Sequence, residues 1–312
     1  MTTRIRGALY VLTILLLAAC STPHPTSGID PTPTSQGPYV ALGDSYTAAP
    51  KVANQTGTPA GCQRSSANYP ALVARHLRLS ASRVHDGSCS GATIADLTAA
   101  QATGNGTNAA QLNALTADTR LVTVGIGGND IDFAGILTRC VALDAPGTLI
   151  DLLRDTTTDQ SPCRADYTAN GTDQIQQKIQ AAAPLLAAAL VRIHQLAPNA
   201  HVYVVGYPNL LPTTDTANCA KSLGITSDDV TFLSNEELQL NAMLKQQAAN
   251  AGDTYVDTYT PSLGHDACTD ANTRWIEPLI PASPAAIMHP NALGEQAMAI
   301  AVEHAVANGA SG

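Results

Sequence analysis

Five short runs that are typical of β-strands alternate with longer segments of helical periodicity along most of the chain. The runs are Pro38–Leu42, Arg83–Gly87, Leu121–Ile126, Ala200–Gly206 and Thr254–Asp257. The third and fourth are nearly continuous in apolar and β-branched residues, which is typical of strands covered on both faces. Strands that alternate with helices indicate an α/β domain with a mostly parallel sheet.

The helical segments lie between and after these runs. Their predicted starts are Asn68, Thr172 as an N-cap with Asp173 in the first turn, Ser227 and Pro290. Pro184 lies inside the second segment, so we expect a kink or a division into two helices there. Ile131–Gly171 is polar and irregular, and we interpret it as an insertion into the same domain.

The first residues of the chain resemble an export signal. Arg4 and Arg6 precede an apolar stretch, Ala8–Ala19, that is too short for a comfortable transmembrane helix. The stretch ends in Leu17-Ala18-Ala19-Cys20, which is typical of a bacterial lipoprotein signal. This pattern predicts a signal peptide over residues 1–19, with Cys20 lipidated and holding the protein at the outer face of the cell membrane. A plain secretory signal, with release from the cell, is the alternative.

Composition separates a tether from a folded domain and excludes one class of partner. Residues 20–37 are rich in Pro, Ser and Thr, which predicts a flexible tether and leaves residues 38–308 as one folded domain. The chain is 45% hydrophobic, which is enough to bury a sizeable core. Its net charge of −9 argues against a nucleic-acid partner, because phosphates require a basic surface.

Cysteine usage also favours an exported protein. The chain has seven cysteines, and six remain when Cys20 is set aside: Cys62, Cys89, Cys140, Cys163, Cys219 and Cys268. In an oxidising compartment this even number predicts three disulfides, although many connectivities are open. No two of them form a CxxC pair, so neither structural zinc nor another metal is predicted.

Short polar blocks follow the first three strand runs and open the last helix. They are Gly43-Asp44-Ser45, Cys89-Ser90-Gly91-Ala92, Gly127-Gly128-Asn129-Asp130 and His289-Pro290-Asn291. Ligands of open α/β sheets bind outside the carboxyl ends of the strands, so we expect these blocks to share one site. Taken singly, Ser45 would read as a helix N-cap, Asn129 as a turn residue and His289 as a loop residue.

Together the four blocks contain the parts of an acyl-transfer site. A serine hydroxyl is a weak nucleophile until a base takes its proton, so Ser45 would attack and His289 would be general base and then general acid. The tetrahedral intermediate needs preorganised donors, which the N–H groups of Ser45 and Gly91 and the amide of Asn129 would supply. The nucleophile elbow of α/β-hydrolases does not fit, because Thr47 stands where that motif has a glycine.

The blocks "GDSY", "CSGAT", "GGND" and "HPNALG" resemble those of SGNH hydrolases of the GDSL lipase/esterase family. Two more segments, "CQRSSANYP" and "GHDAC", resemble the secreted actinobacterial esterase branch with three disulfides. The resemblance spans roughly residues 38–308. It implies a three-layer α/β/α, flavodoxin-like fold with a five-stranded parallel sheet of order 2-1-3-4-5, and an activity without metal or organic cofactor.

The resemblance also bears on the base and on the cysteines. Many family members carry an aspartate three residues before the histidine, where this chain has Ala286, so we expect the main-chain carbonyl of Ala286 to orient His289. Asp44 and Asp130 are interpreted as residues that hold loops. In the implied fold, one cysteine pair shares the insertion, a second follows neighbouring strands, and a third remains. The expected pairs are Cys140–Cys163, Cys219–Cys268 and Cys62–Cys89.

The sequence therefore predicts an exported serine esterase or lipase that hydrolyses a lipid or another carboxylic ester, acting as a monomer. Two alternatives stay open. The same residues would serve an acyltransferase that uses a sugar or lipid hydroxyl in place of water. A non-catalytic envelope lipoprotein on a hydrolase scaffold is the alternative from another class. Neither acyl chain length nor the alcohol part of the substrate follows from the sequence.

Overall fold

The computed structural model describes residues 36–144, 161–169 and 171–309 of the chain. The predicted signal peptide, the lipidation residue Cys20 and nearly all of the predicted tether lie outside the described residues. So does the middle of the predicted insertion, residues 145–160. The domain boundaries given above therefore remain predictions.

A five-stranded parallel sheet forms the centre of the molecule. The strands in chain order are β1 (Tyr39–Gly43), β2 (Gln55–Thr56), β3 (Arg64–Ser65), β4 (Val84–Asp86), β5 (Gln101–Thr103), β6 (Gly106–Asn108), β7 (Leu121–Gly125), β8 (His201–Val205) and β9 (Thr254–Val256). The central sheet has the order β4-β1-β7-β8-β9, and all four neighbouring pairs are parallel. Counted within the sheet alone, this is the predicted order 2-1-3-4-5. The remaining strands form two small antiparallel hairpins, β2–β3 and β5–β6, which the sequence did not predict.

Helices cover both faces of the sheet. They are α1 (Ser45–Ala48), α2 (Tyr69–His76), α3 (Phe133–Asp144), α4 (Pro162–Thr168), α5 (Gln174–Leu196), α6 (Thr216–Leu223), α7 (Ser227–Ala251) and α8 (Ala292–Gly309). Side chains alternate between the faces of a strand. In β1, Val40 and Leu42 join the core formed with α5 and α7, whereas Tyr39 joins the core formed with α2 and α8. The predicted three-layer α/β/α arrangement is thereby confirmed.

The helix α5 continues through Pro184 as a single helix, so of the two predicted outcomes the division into two helices does not occur. Its start differs from the prediction, because the N-cap is Asp173 rather than Thr172. The Asp173 carboxylate accepts hydrogen bonds from the N–H groups of Ile175 and Gln176, which is the bonding pattern of an N-cap residue. Apolar side chains on both sides of the proline, including Ile179 and Leu186, are buried in the same core. This packing stabilises the helix although Pro184 has no N–H to donate.

Among the described helices, α5 is also the one that is long and apolar enough to cross a membrane by length and composition alone. Core helices of soluble domains pass the same test. The buried stripe of α5 packs in the core beside α7, whereas Leu185 and Val191 of the same helix are exposed.

The six cysteines of the domain form three disulfides. The pairs are Cys62–Cys89, Cys140–Cys163 and Cys219–Cys268, as expected from the implied fold. The first joins the segment after α1 to the loop after β4, which leads to Gly91. Ser90 adds a hydrogen bond, because its N–H donates to the Cys62 carbonyl at 3.0 Å. The loop that carries Gly91 is therefore held by a disulfide and by a backbone hydrogen bond.

Candidate active site

Ser45 is the first residue of α1, directly beyond the carboxyl end of β1. The preceding Asp44 is the N-cap of this short helix, and its Oδ1 accepts a hydrogen bond from the Tyr46 N–H at 2.9 Å. Gly43 permits the sharp change of direction, since a Cβ at this position would collide with the Thr47 hydroxyl and the Gly125 carbonyl. The strand thus ends in a tight turn that places the Ser45 side chain at the edge of the sheet.

The side chains of Ser45 and His289 meet although 244 positions separate them along the chain. His289 Nε2 lies 2.7 Å from Ser45 Oγ, and His289 Nδ1 lies 2.7 Å from the carbonyl oxygen of Ile287. A carbonyl can only accept a hydrogen bond, so Nδ1 carries the proton and Nε2 is the free acceptor. The Ser45 hydroxyl therefore donates to Nε2.

The prediction that the Ala286 carbonyl orients His289 is wrong, because the acceptor is the carbonyl of Ile287. Met288, between Ile287 and His289, has a φ of 55°, and this left-handed residue turns the ring back over the carbonyl two positions earlier. Ala286 instead donates its N–H to the Pro50 carbonyl. Burial lowers the pKa of His289, and the hydrogen bond to Ile287 offsets part of that effect.

The three hydrogen-bond donors that the sequence suggested are the N–H of Ser45 at the start of α1, the N–H of Gly91 and the side-chain amide of Asn129. Among the described residues, no acceptor bonds to the N–H of Ser45 or to that of Gly91. Asn129 Nδ2 donates one N–H to the Ala92 carbonyl at 2.9 Å, and an amide carries a second. That hydrogen bond ties the Asn129 loop to the loop of Gly91.

Glycine is required at position 91 by its backbone rather than by crowding from protein atoms. Its φ is +79°, a conformation that residues with a Cβ rarely adopt, and a Cβ built there would meet only Gln101 Nε2, at 3.7 Å. Ser45, Asn129 and His289 line one cavity, whereas Gly91 is not among the residues that line it.

Tyr207, which sequence reasoning missed, joins two of these loops. Its hydroxyl donates to Asp44 Oδ2 at 2.5 Å and accepts from the Gly128 N–H at 2.8 Å. Burial raises the pKa of Asp44 to about 7, although hydrogen bonds from Tyr207 and the Tyr46 N–H act in the opposite direction. The available signal was its position, since Tyr207 follows β8 at the same edge of the sheet as the other blocks.

Asp130 also holds a loop. Its carboxylate oxygens accept from the Ile94 N–H at 3.0 and 3.2 Å, and burial raises its pKa to about 6. Neither Asp44 nor Asp130 has a hydrogen bond to Ser45 or His289. The loop-holding role interpreted from the sequence agrees with these contacts.

The cavity beside Ser45 is mainly apolar. Its apolar lining consists of Tyr46, Phe133, Ala134, Leu137, Tyr207, Leu210, Leu240, Leu279, Ile287 and Met288. Glu237 is the one carboxylic acid besides Asp44 in this lining, and both of its oxygens lie 3.1 Å from the Leu210 N–H. Burial raises the pKa of Glu237 well above its ordinary range. The cavity therefore suits an uncharged, apolar group that reaches the Ser45 hydroxyl.

Comparison with known proteins places this arrangement among ester hydrolases. The profile of the GDSL-like Lipase/Acylhydrolase family matches residues 41–297. Lipase 2 of Streptomyces coelicolor is 38% identical over 262 residues, which cover 84% of this chain and 83% of that protein. An esterase of Streptomyces scabiei is 31% identical over 268 residues, covering 80% of this chain and 77% of its own.

Two solved structures share the fold. Phospholipase A1 from Streptomyces albidoflavus superposes with a TM-score of 0.67 at 25% identity, covering 86% of this chain and 98% of that one. The extracellular lipase from Streptomyces rimosus gives a TM-score of 0.66 at 26% identity, with the same coverage of both chains. The relatives are thus named as lipases, an esterase and a phospholipase.

Proposed function

The chain belongs to the GDSL-like lipase/acylhydrolase family and is a carboxylic ester hydrolase, and from this premise we propose that it cleaves its substrate through an acyl-enzyme on Ser45. The observation that carries the proposal is the 2.7 Å contact between Ser45 Oγ and His289 Nε2. A nucleophile within hydrogen-bond reach of a base, which is oriented by a third group, is the arrangement that nucleophilic catalysis requires. Here the third group is the Ile287 carbonyl.

The proposed reaction proceeds in two halves. Ser45 Oγ attacks the ester carbonyl carbon while its proton moves to His289 Nε2, and the carbonyl oxygen becomes an oxyanion. The oxyanion accepts hydrogen bonds from the N–H groups of Ser45 and Gly91 and from the second N–H of the Asn129 amide. The intermediate then collapses, the C–O bond to the alcohol breaks, and His289 returns the proton to the leaving oxygen. A water molecule, activated by the same base, releases the acid in the second half.

The cavity supports an ester with an apolar acyl chain as substrate. Leu137, Leu210 and Leu240 line it beside the nucleophile, and burial raises the pKa of Glu237 well above its ordinary range. A charged acyl group would lose its hydration in such a site without gaining a partner of opposite charge. Lipids and other apolar esters fit these requirements.

Covalent labelling tests the proposal directly. A fluorophosphonate should react once per chain, and peptide mapping should place the label on Ser45, with ester hydrolysis lost in proportion to labelling. Ser82→Ala, at an exposed serine that does not line the cavity, should be labelled like the wild type. A label at any other serine, or full hydrolysis by fully labelled protein, would refute the proposed nucleophile.

The pH dependence of kcat/KM follows from the state of His289. The base must be neutral to accept the serine proton, and burial lowers its pKa. Activity should therefore be present above that pKa and be lost as the pH falls through it, with the midpoint of the acid limb below the ordinary value of about 6.5. A profile of kcat/KM on a soluble ester between pH 4 and 8 measures the midpoint, and a midpoint above about 7 would contradict this assignment.

We further propose that the chain is exported, with residues 1–19 as a lipoprotein signal, Cys20 as the lipid attachment point and residues 20–37 as a tether to the domain at residues 38–308. The signal-like sequence and the six cysteines support this, and a similar lipase of Streptomyces rimosus is described as extracellular. Cys20→Ser should move the protein from the membrane fraction to the medium or leave it unprocessed. A cleaved Cys20→Ser protein that stays in the membrane fraction would refute the anchor.

A further inference from the structure

In the part of the chain that the structure describes, the proposed base His289 has no carboxylate partner. His289 Nδ1 donates to the neutral carbonyl of Ile287, and among the described residues no carboxylate bonds to either ring nitrogen. When His289 takes the Ser45 proton, its ring becomes a cation in a half-buried position, and the loss of hydration there disfavours the charged form. In a serine–histidine–aspartate triad the aspartate stabilises that imidazolium. The hydrogen bond to the Ile287 carbonyl offsets part of that cost here, and the other groups in contact with the ring determine the rest.

The ring of Tyr46 lies directly against the ring of His289. Their centroids are 4.7 Å apart and their planes differ by 30°, so the imidazole faces the π-surface of the phenol ring. The Tyr46 hydroxyl donates to the Met288 carbonyl at 2.5 Å. Tyr207 supports the ring from another side in an edge contact, with centroids 5.0 Å apart and planes at 81°. The position of the Tyr46 ring is therefore fixed by two independent contacts.

We propose that Tyr46 is a positioning residue whose aromatic face stabilises the protonated ring of His289, while the Ile287 carbonyl holds Nδ1. A cation within about 6 Å of an aromatic centroid is attracted by the ring quadrupole, and the attraction is larger when water is excluded. The inference rests on the proposed role of His289 as base. The path of the proton is unchanged. The proton leaves Ser45 Oγ, resides on His289 Nε2 while the ring is cationic, and passes to the oxygen of the leaving alcohol.

The other charged and titratable groups around His289 are engaged elsewhere. They come from four elements: Asp44 before α1, Tyr207 after β8, Glu237 on α7, and Glu277 on the segment whose backbone bonds to Met288 and His289. The Asp44 carboxyl accepts from the Tyr207 hydroxyl and the Tyr46 N–H, and the Glu237 carboxyl accepts from the Leu210 N–H. The Glu277 carboxylate is occupied by the Asn291 amide and by the N–H groups of Ala282 and Ser283. Tyr46 is left as the group in contact with the imidazole face.

Two substitutions at position 46 separate the ring from its hydroxyl. Tyr46→Phe keeps the π-surface and removes the hydrogen bond to Met288, so kcat on a soluble short-chain ester should stay within about threefold of wild type. Tyr46→Leu removes the π-surface, so kcat should fall about tenfold with KM little changed. The acid limb of kcat/KM should move about 0.4 to 1.5 units towards lower pH in Tyr46→Leu and stay in place in Tyr46→Phe.

A tyrosine that only fills space would lower thermal stability in Tyr46→Leu without moving the acid limb, and that result would overturn the proposal. So would equal losses of kcat in the two variants, because the hydroxyl would then be the important group. If Tyr46→Leu does not fold, phenylalanine and its mono-, di- and trifluorinated analogues at position 46 keep the ring shape and weaken its π-surface stepwise. The logarithm of kcat should then decrease with each fluorine, and a flat series would refute the cation–π contribution.

A measurement without turnover keeps this inference distinct from the proposed reaction. In the Ser45→Ala background, NMR titration of His289 should give a lower pKa when Tyr46→Leu is added and an unchanged pKa when Tyr46→Phe is added. An unchanged pKa in both would refute the role of Tyr46 even if Ser45 and His289 act as proposed. If fluorophosphonate does not label Ser45, the proposed reaction is refuted, whatever the NMR titration shows.

Discussion

Ser45→Ala should lower kcat for a soluble ester by about 10⁶, to the background of the assay. In the proposed mechanism the substitution removes the atom that forms the acyl-enzyme, and no other hydroxyl of the described cavity has a hydrogen bond to His289 Nε2. Stability should change little, since the Ser45 side chain has one hydrogen bond, the one to His289. Turnover of p-nitrophenyl esters by purified protein measures the loss, and thermal melting checks the fold.

The control for this variant is Thr47→Ser, two residues along α1. The Thr47 hydroxyl faces Tyr69 and the Gly125 carbonyl, not His289, so a serine there should keep most of the activity. Purified Ser45→Ala that retains more than about 1% of wild-type kcat would remove Ser45 from the mechanism, because nucleophile loss costs far more.

His289→Ala should cause a loss of similar size, about 10⁶ in kcat, because a nucleophile without its base is as ineffective as a base without its nucleophile. The two effects should not add: the double variant with Ser45→Ala should be no slower than either single variant. The same p-nitrophenyl assay measures all three. Added imidazole should restore part of the activity of His289→Ala by occupying the space that the ring leaves, and it should restore none to Ser45→Ala.

The matched control is His76→Ala, the same substitution on the exposed surface of α2, where His76 pairs with Glu303. It should keep wild-type kcat. An additive loss in the double variant, or a His289→Ala protein with more than about 1% activity, would show that Ser45 and His289 do not act as a unit.

Much of the fold could be predicted because local signals and packing agree. Parallel strands that are buried on both faces are nearly continuous in apolar and β-branched residues, and the runs around β7 and β8 are, so their positions were predicted to within one residue at each end. The start of α2 followed from Asn68, whose side chain accepts from the Ala71 N–H as an N-cap should. The end of α7 followed from Gly252, which adopts the left-handed conformation.

The departures arise where distant contacts decide a local conformation. The orienting carbonyl belongs to Ile287 because Met288 is held in a left-handed turn, and its N–H donates to the carbonyl of Glu277, eleven positions earlier. No local pattern in the sequence specifies that pairing. The roles of Tyr46 and Tyr207 depend on contacts with residues far along the chain, Met288 in one case and Asp44 in the other. Periodicity and motif spacing carry no information on such contacts.

The order of Ser45 and His289 along the chain determines when activity can first appear during synthesis. Ser45 belongs to the first strand exit of the domain, whereas His289 comes 244 positions later, after the last strand has been made. A nascent chain that has been translated through β9 would contain the proposed nucleophile, its turn and all five strands of the central sheet, but not the proposed base. If both residues act as proposed, the growing chain cannot hydrolyse esters until the segment with His289 has been translated. A protease that removed only this last segment would inactivate the enzyme again.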